Sequence, residues 1–403
     1  MEFSIPDHIE TLRQEVLAFL EERIIPWEAE ALAYDEAAFP ACAEDHPYMR
    51  ELQAEVKARG WWAPHLPIEA GGLGLSLVEY GLLNEILGRS HLAPRAFGCN
   101  APDSGNQEIL WEYGTDAQKK TYFEPLAAGE TRSFFGMTEP DTSGSDPRNL
   151  ATRAVREGDS WVINGRKWWS TNANGAAFGI IIAVTEDDAG TYERQTAIIV
   201  PADAPGLRFV RPISVMGHTT GAGHWEIALE DCRVPLKHTL GEPGAGFAMA
   251  QTRLGPGRIH HCMRWLGQAQ RAFDLMCTYA LRREAFGGPL AEKQTVQNWI
   301  ADSAAEIQAA RWMTLHAAWK IDQLGQKAAR VDISLIKFFG AKVLMDVLDR
   351  AIQVHGGLGV SDDTPLAMMW RNGRAARIYD GPDEVHRMVV ARRILKEYAQ
   401  RED

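Results

Sequence analysis

Apolar residues recur at helical spacing through the first third of the chain. Ile9, Leu12, Val16 and Phe19 mark one helix face, and Pro26 follows the stretch. Ser76-Leu-Val-Glu79 is a capping-box pattern ahead of Tyr80, Leu83 and Leu87. Gly114 closes another amphipathic segment, and Thr115 is placed to cap the next. Pro64, Pro67, Gly71 and Gly72 punctuate the loops between.

Near residue 133 the period shortens. Ser160-Trp-Val-Ile163, Asn164-Gly165 and then Arg166 to Ser170 predict a hairpin, because Asn-Gly favours a type I′ turn. Residues 179–185, 196–200, 207–210 and 224–229 read as further short strands, with no long helical stretch between them. An antiparallel β domain is expected. After Gly246 helical spacing returns over 247–282, 294–324 and 332–354. Long helices with short connections predict an antiparallel bundle. The fold class is α+β. The expected domains are an N-terminal helical domain at 1–132, a middle β domain at 133–242 and a C-terminal four-helix bundle at 243–403.

Composition narrows the class. The 403 residues are 45% hydrophobic and 24% charged, as expected of a globular chain rather than a disordered one. Asp and Glu number 54 against 42 Lys and Arg, giving a net charge of −12. Such a chain repels phosphate backbones, so nucleic acid is not the expected partner. The five cysteines include no C-x-x-C pair, which fits a reducing compartment. No leader pattern and no run of 18 uncharged apolar residues is visible, so a cytoplasmic protein without a membrane span is expected.

The common phosphate loops, H-E-x-x-H and G-x-S-x-G are missing. Gly71-Gly-Leu-Gly74 and Gly356-Gly-Leu-Gly359 look like nucleotide loops but enter no βαβ unit. His260 and His261 are adjacent, so they face different ways on a helix; packing or hydrogen bonding outweighs a metal role, and no metal is expected.

Four segments carry candidate chemistry. Phe135 to Asp146 is rich in hydroxyls and turn formers. It reads equally as a loop that wraps a polar cofactor or as a well-capped interdomain loop. Trp168-Trp169-Ser170-Thr171-Asn172 sets aromatic faces beside hydroxyls, which suits a flat heteroaromatic ring or simple core packing. Arg282-Arg283-Glu-Ala-Phe286-Gly287, with Gln294 beyond, offers a phosphate partner or a solvated helix-end charge. Gln353-Val-His-Gly-Gly357 precedes Ile378-Tyr-Asp380-Gly-Pro-Asp-Glu384. Pro382 suits a first helical position, which would make Asp380 or Gly381 a cap. Alternatively Asp380 is a general base, its proton affinity raised by desolvation and by Asp383 and Glu384.

Together, in this order, these segments resemble the acyl-CoA dehydrogenase family. Thr138-Glu-Pro140 with Gly144-Ser-Asp146 is similar to its T-E-P…G-S-D loop, and Ile163-Asn-Gly-Arg-Lys167 through Thr171-Asn172 to its I-N-G-x-K…T-N segment. Arg283-x-x-Phe286-Gly287 and Gln353-x-x-Gly356-Gly357 match two further motifs, and Ile378-Tyr-Asp-Gly381 stands where the family has I-Y-E-G. The resemblance implies bound FAD and a homo-oligomer, usually a tetramer built as a dimer of dimers. It implies that Met137, Thr138, Trp169, Ser170 and Thr171 contact the flavin. Ser145 falls at the junction of flavin and acyl-CoA. Arg283, Phe286, Gln294, Gln353, Gly356 and Gly357 would hold the FAD of a neighbouring subunit. Pro382, in place of the usual threonine, and Glu384 fall in the same cofactor stretch. Asp380 falls at the catalytic base, with Arg258 and Gly381 on the substrate side.

The reaction implied is dehydrogenation of an acyl-CoA in fatty acid β-oxidation, with an electron-transfer flavoprotein as acceptor. Asp at the base departs from the usual Glu and reaches about 1.5 Å less far. It marks a subgroup whose members can carry a fused phosphotransferase-like domain. It also leaves open a flavin oxidase of nitroalkane-oxidising type or a member specific for hydroxyacyl-CoA.

Overall fold

The computed structural model describes residues 4–37, 42, 45–186, 188–190, 192–219 and 223–400. The chain opens with helices α1 (Asp7–Phe19), α2 (Glu28–Ala37), α3 (Pro47–Ala58), α4 (Leu77–Leu87), α5 (Ala93–Ala96), α6 (Asp103–Tyr113), α7 (Asp116–Gln118) and α8 (Glu124–Ala127). Strands β1 (Ser133–Gly136), β2 (Arg153–Glu157), β3 (Ser160–Thr171), β4 (Phe178–Val184), β5 (Gln195–Pro201), β6 (Leu207–Ile213), β7 (His224–Pro235) and β8 (Thr239–Leu240) follow. Helix α9 (Gly246–Arg282), the small hairpin of β9 (Glu284–Ala285) and β10 (Gly288–Pro289), and helices α10 (Gln294–Leu324), α11 (Arg330–His355), α12 (Leu366–Gly373) and α13 (Asp383–Ala399) complete it.

These elements form two compact units. One holds residues 1–25, 76–93 and 255–403; the other holds 26–75 and 94–254. The division falls in α9 at Gly255-Pro256-Gly257. Proline there removes a backbone donor, and the glycines are poor helix formers.

The first unit is helical apart from the small β9–β10 hairpin. α1 and α10 pack on α4, and α11 packs on α10, α12 and α13. The capping box at Ser76 and Glu79 starts α4 as expected. Gly88 and Gly267 let α4 and α9 cross closely; a Cβ on Gly267 would lie 2.1 Å from the Glu85 carbonyl. Proline does not end the N-terminal helical run. After α1 the chain continues through a π-turn, and Pro26 lies inside a 3-10 turn that leads into α2.

The second unit is built on an eight-stranded sheet ordered β6-β7-β3-β2-β4-β5-β8, with β1 beside β4. Side chains alternate between its faces. Ile181, Ile198, Trp225 and Ile227 enter one core, whereas Ile180, Ile182 and Ile199 enter another with Ile109 and Leu110 of α6. β4 is therefore apolar at nearly every position.

Two expectations about this sheet need correction. It is mixed rather than purely antiparallel, because β1 runs parallel to β4. And Asn164-Gly165 is not a turn. β3 passes straight through it, and the turn from β2 is made by Gly158 and Asp159. The Asn164 side chain instead bridges a bulge in β7, donating to Asp231 Oδ1 at 3.0 Å and accepting from the Asp231 N–H at 2.8 Å. Gly165 is required by a close approach: a Cβ would lie 2.4 Å from Thr152 Oγ1.

No helix among the described residues is long and apolar enough to cross a membrane. No cluster of three or more potential metal ligands occurs among them.

Candidate active site

The sheet unit carries the first group of residues. β1 delivers the loop that begins at Met137. The Thr138 carbonyl accepts the Trp168 N–H at 3.0 Å, and the Met137 carbonyl accepts Lys167 Nζ at 3.0 Å. Beneath lies an ion pair: buried Lys167 donates to buried Glu139 at 2.8 Å. The carboxylate also accepts the N–H groups of Ala151 at 2.6 Å and Thr152 at 2.9 Å, which closes the loop on itself. Burial alone would raise Glu139, but the Lys167 charge and these hydrogen bonds hold it below the ordinary carboxylate range. Burial pushes Lys167 down to about 8 despite its partner. Ser145 stands exposed at the loop's outer turn.

The second bulge of this sheet lies on β3 between Lys167 and Ser170. It forces Trp169 into left-handed backbone, φ 56°, and leaves the residue 40% exposed. The ring meets His224 edge-on at 5.0 Å between centroids. Thr171 Oγ1 lies 2.8 Å from His224 Nδ1. Burial, helped by the Arg95 charge, pushes His224 down to about 4, so this imidazole is neutral near pH 7. Ser170 Oγ and Trp168 Nε1 are buried without a partner. Unsatisfied polar atoms are costly unless something completes them. Two such atoms flanking an exposed indole fit a flat, polar ring system such as a flavin.

The helical unit carries the second group. Asp380 is also left-handed, φ 55°, followed by Gly381 at 99°. Cationic and imidazole donors converge on this turn. Arg258 Nε of α9 donates to the Asp380 carbonyl at 3.0 Å, and His386 Nε2 of α13 lies 3.1 Å from the same oxygen. Buried Lys337 of α11 donates to the carbonyls of Ala376 at 2.7 Å and Gly381 at 3.1 Å. The Asp380 carboxylate is 17% exposed and lies 3.3 Å from His261 Nε2.

The capping expectation fails here. Pro382 is itself the N-cap of α13 and Asp383 its first residue, so neither Asp380 nor Gly381 caps the helix. Asp383 has a partner of its own. It is buried and turned to Arg377, whose Nε donates to it at 2.7 Å. Glu384 is exposed. Arg258, Lys337, His386 and His261 all reach the Asp380 turn.

The remaining site residues sit on separate elements of this unit. Arg283 follows the end of α9, and Phe286 forms the tip of the β9–β10 hairpin. Phe286 is 99% exposed at φ 51°. Gln294 opens α10 and hydrogen-bonds Asn298 at 3.2 Å. Gln353 is exposed on the last turn of α11, and a Cβ on Gly356 or Gly357 just beyond would meet nothing within 4 Å.

Sequence reasoning missed Lys337, His386, His224 and the Lys167–Glu139 pair. Lys337 had one visible signal: a lysine on the apolar side of a helical repeat, in Ile336-Lys-Phe-Phe339.

The chain belongs to the acyl-CoA dehydrogenase family. Its N-terminal, middle and C-terminal domain models match residues 6–130, 134–232 and 244–395. The chain is accordingly a flavin-dependent oxidoreductase with FAD as its cofactor and with the family's helix–sheet–helix fold. Among its relatives is "Probable acyl-CoA dehydrogenase FadE2" of Mycobacterium tuberculosis, 46% identical over 395 residues that make up 97% of this chain and 96% of that one. Acyl-CoA dehydrogenase family member 11 of Rattus norvegicus is 42% identical over 398 residues, 96% of this chain and 51% of that protein. The chain thus spans about half the length of its vertebrate relatives. A solved structure from Mycobacterium abscessus, assigned as an acyl-CoA dehydrogenase, superposes with a TM-score of 0.94 at 42% identity, covering 98% of this chain and all of that one.

Proposed function

We propose that this chain dehydrogenates an acyl-CoA thioester to the trans-2-enoyl-CoA, with Asp380 removing the α-proton. The observation that carries the reading is the Asp380 turn: a carboxylate still reachable from solvent, on a left-handed residue whose carbonyl is held by Arg258 and His386. Strained backbone persists only where the surroundings over-determine it, and it clusters at active sites.

The residues divide the work. The Asp380 carboxylate takes the proton, and the turn keeps it from drifting. Arg258, anchored on the Asp380 carbonyl, and Gly381 define the substrate side of the turn, with Ser145 at the edge of the flavin stretch. Met137, Thr138, Trp169, Ser170 and Thr171 form the ring-binding surface; the two unsatisfied donors and the exposed indole support that role. Arg283, Phe286, Gln294, Gln353, Gly356 and Gly357 hold FAD from a second subunit, a role supported by the full exposure of Phe286 and the open space at the two glycines. Pro382 and Glu384 line the same stretch. FAD supplies a hydride acceptor at N5. The protein acts as a homotetramer in the cytoplasm, feeds fatty acid β-oxidation and passes its electrons to an electron-transfer flavoprotein.

The test is an anaerobic visible titration of the yellow protein with acyl-CoAs of increasing chain length. The flavin band is expected to bleach with one length class, and with none in Asp380→Asn. A band that no acyl-CoA bleaches would sink the reading. Hydrogen peroxide released at the rate of turnover in air would favour an oxidase instead.

A further inference from the structure

His260 and His261 stand side by side on α9, yet only one of them faces the base. His260 packs edge-on against Tyr80, 4.4 Å between ring centroids. His261 Nε2 lies 3.3 Å from Asp380 Oδ2. Its ring is fixed by two aromatic neighbours, roughly parallel to Trp265 at 6.2 Å and edge-on to Tyr379 at 5.1 Å. Those two are themselves locked, because Trp265 Nε1 donates to Tyr379 Oη at 2.7 Å. The imidazole is therefore held at the carboxylate by its own packing, with 21% of the side chain exposed.

We infer that His261 is the positioning residue of the base, and that Asp380 and His261 work as one titrating pair. This rests on the reading of Asp380 as base. With a proton on Nε2, the neutral imidazole holds Oδ2 and so orients the carboxylate. The α C–H bond breaks, its electron pair stays on the α-carbon and the proton goes to the carboxylate. A further proton on the imidazole creates an imidazolium against the carboxylate. Opposite charge lowers the carboxylate's proton affinity, so the base switches off. The acid limb of proton abstraction then belongs to the pair, not to Asp380 alone.

Other charged and titratable groups face the same turn. Arg258 of α9 and Lys337 of α11 reach the carbonyls of the Asp380 turn. Asp383 of α13 is bound to Arg377. Burial keeps Tyr379 protonated and pushes the Cys262 thiol up to about 12. His386, the other imidazole on the turn, is pushed down to about 4 by burial and stays neutral near pH 7.

The experiment is washout of α-deuterium from a β-thia acyl-CoA by the FAD-loaded full chain, read by mass spectrometry from pH 5 to 9. Such a thioester can lose its α-proton but cannot be oxidised, so the readout is proton removal without turnover. His261→Gln places an amide donor where Nε2 was and cannot ionise. It is expected to keep the alkaline plateau within about threefold while its acid midpoint falls by about one pH unit or more. His261→Asn cannot reach Oδ2, and its plateau is expected to fall about tenfold or more. An acid midpoint in His261→Gln equal to the wild type's overturns the inference. So does equal washout by the Gln and Asn variants. Asp380→Asn separates the two layers. If it abolishes washout, the base stands and the His261 variants decide. If it does not, the base reading itself has failed.

Discussion

The sheet unit and the helical unit solve the same backbone problem with different means. Each must hold a large or charged residue in left-handed conformation, which costs such residues on the order of 1–3 kcal/mol. Four of the seven non-glycine residues with positive φ among those described lie in the motif segments: Trp169, Asn172, Phe286 and Asp380. In the sheet, a bulge does the work for Trp169. Ladder pairing on either side fixes the strand, and the Lys167–Glu139 pair anchors the loop beneath. At Asp380 there is no ladder. Side chains from three helices take its place, donating to carbonyls on either side of the strained residue. The lesson is that a sheet can hold strain through its backbone, whereas a helical turn must recruit side chains, and here it recruits two cations and a neutral imidazole. Those same charges surround the carboxylate that is asked to act.

The sharpest way to break this comparison is Asp380→Asn. Asn tolerates left-handed backbone, so the turn should survive. Turnover is expected to fall by about 10²–10⁴, the usual worth of a general base, with FAD content and melting temperature unchanged. A variant that loses its FAD or melts early would show that the carboxylate serves the fold.

The sheet counterpart is Lys167→Met. Removing one partner of a buried ion pair leaves Glu139 uncompensated and typically costs about 3–5 kcal/mol. Thermal melting should fall sharply, and Lys167→Met with Glu139→Gln should recover part of the loss. If the single variant melts like the wild type, the pair does not anchor the loop.

Each unit also buries one histidine pushed down to about 4 from 6.5, His224 in the sheet and His386 at the turn. The direction of the linkage is the same for both. The unfolded chain binds these protons more tightly, so stability is full above pH 6.5 and declines as pH falls toward 4. A tenfold difference in proton affinity is worth about 1.4 kcal/mol, so each histidine contributes up to about 3 kcal/mol to that decline. His224→Gln and His386→Gln should each flatten the melting temperature against pH over this window. An unchanged slope in either variant would mean that its histidine is already charged when folded.

The long elements were legible in the chain because their patterns are local. The capping box at Ser76 and the bounds of α10 follow from spacing alone. Asn164-Gly165 misled because its turn signal was overridden by a partner 67 residues away, Asp231, which the sequence does not place beside it. At Pro26 the path is likewise not local in its logic: a π-turn and a 3-10 turn carry the chain past the proline into α2. The motif residues were legible as family resemblance. The groups that hold them were not. Lys337, His386 and His261 reach Asp380 or its neighbours from 43 positions before, 6 after and 119 before in sequence, and only packing of α9, α11 and α13 brings them there.

The smallest expected effect tests whether the sheet surface is poised for a ligand. Ser170 Oγ is buried and has no partner. In the cofactor-free protein this hydroxyl is a liability, so Ser170→Ala should leave stability unchanged or raise it by up to about 1 kcal/mol. In the FAD-loaded protein the hydroxyl gains its partner, and the same change should lower the melting temperature and weaken FAD retention on dilution. The sign must therefore reverse between the two forms. A core serine that merely fills space would shift both melting curves alike, and that result would remove Ser170 from the ring-binding surface while leaving Trp169 and Thr171 on it. A reversal would show that the sheet unit holds back hydrogen-bonding capacity for its cofactor.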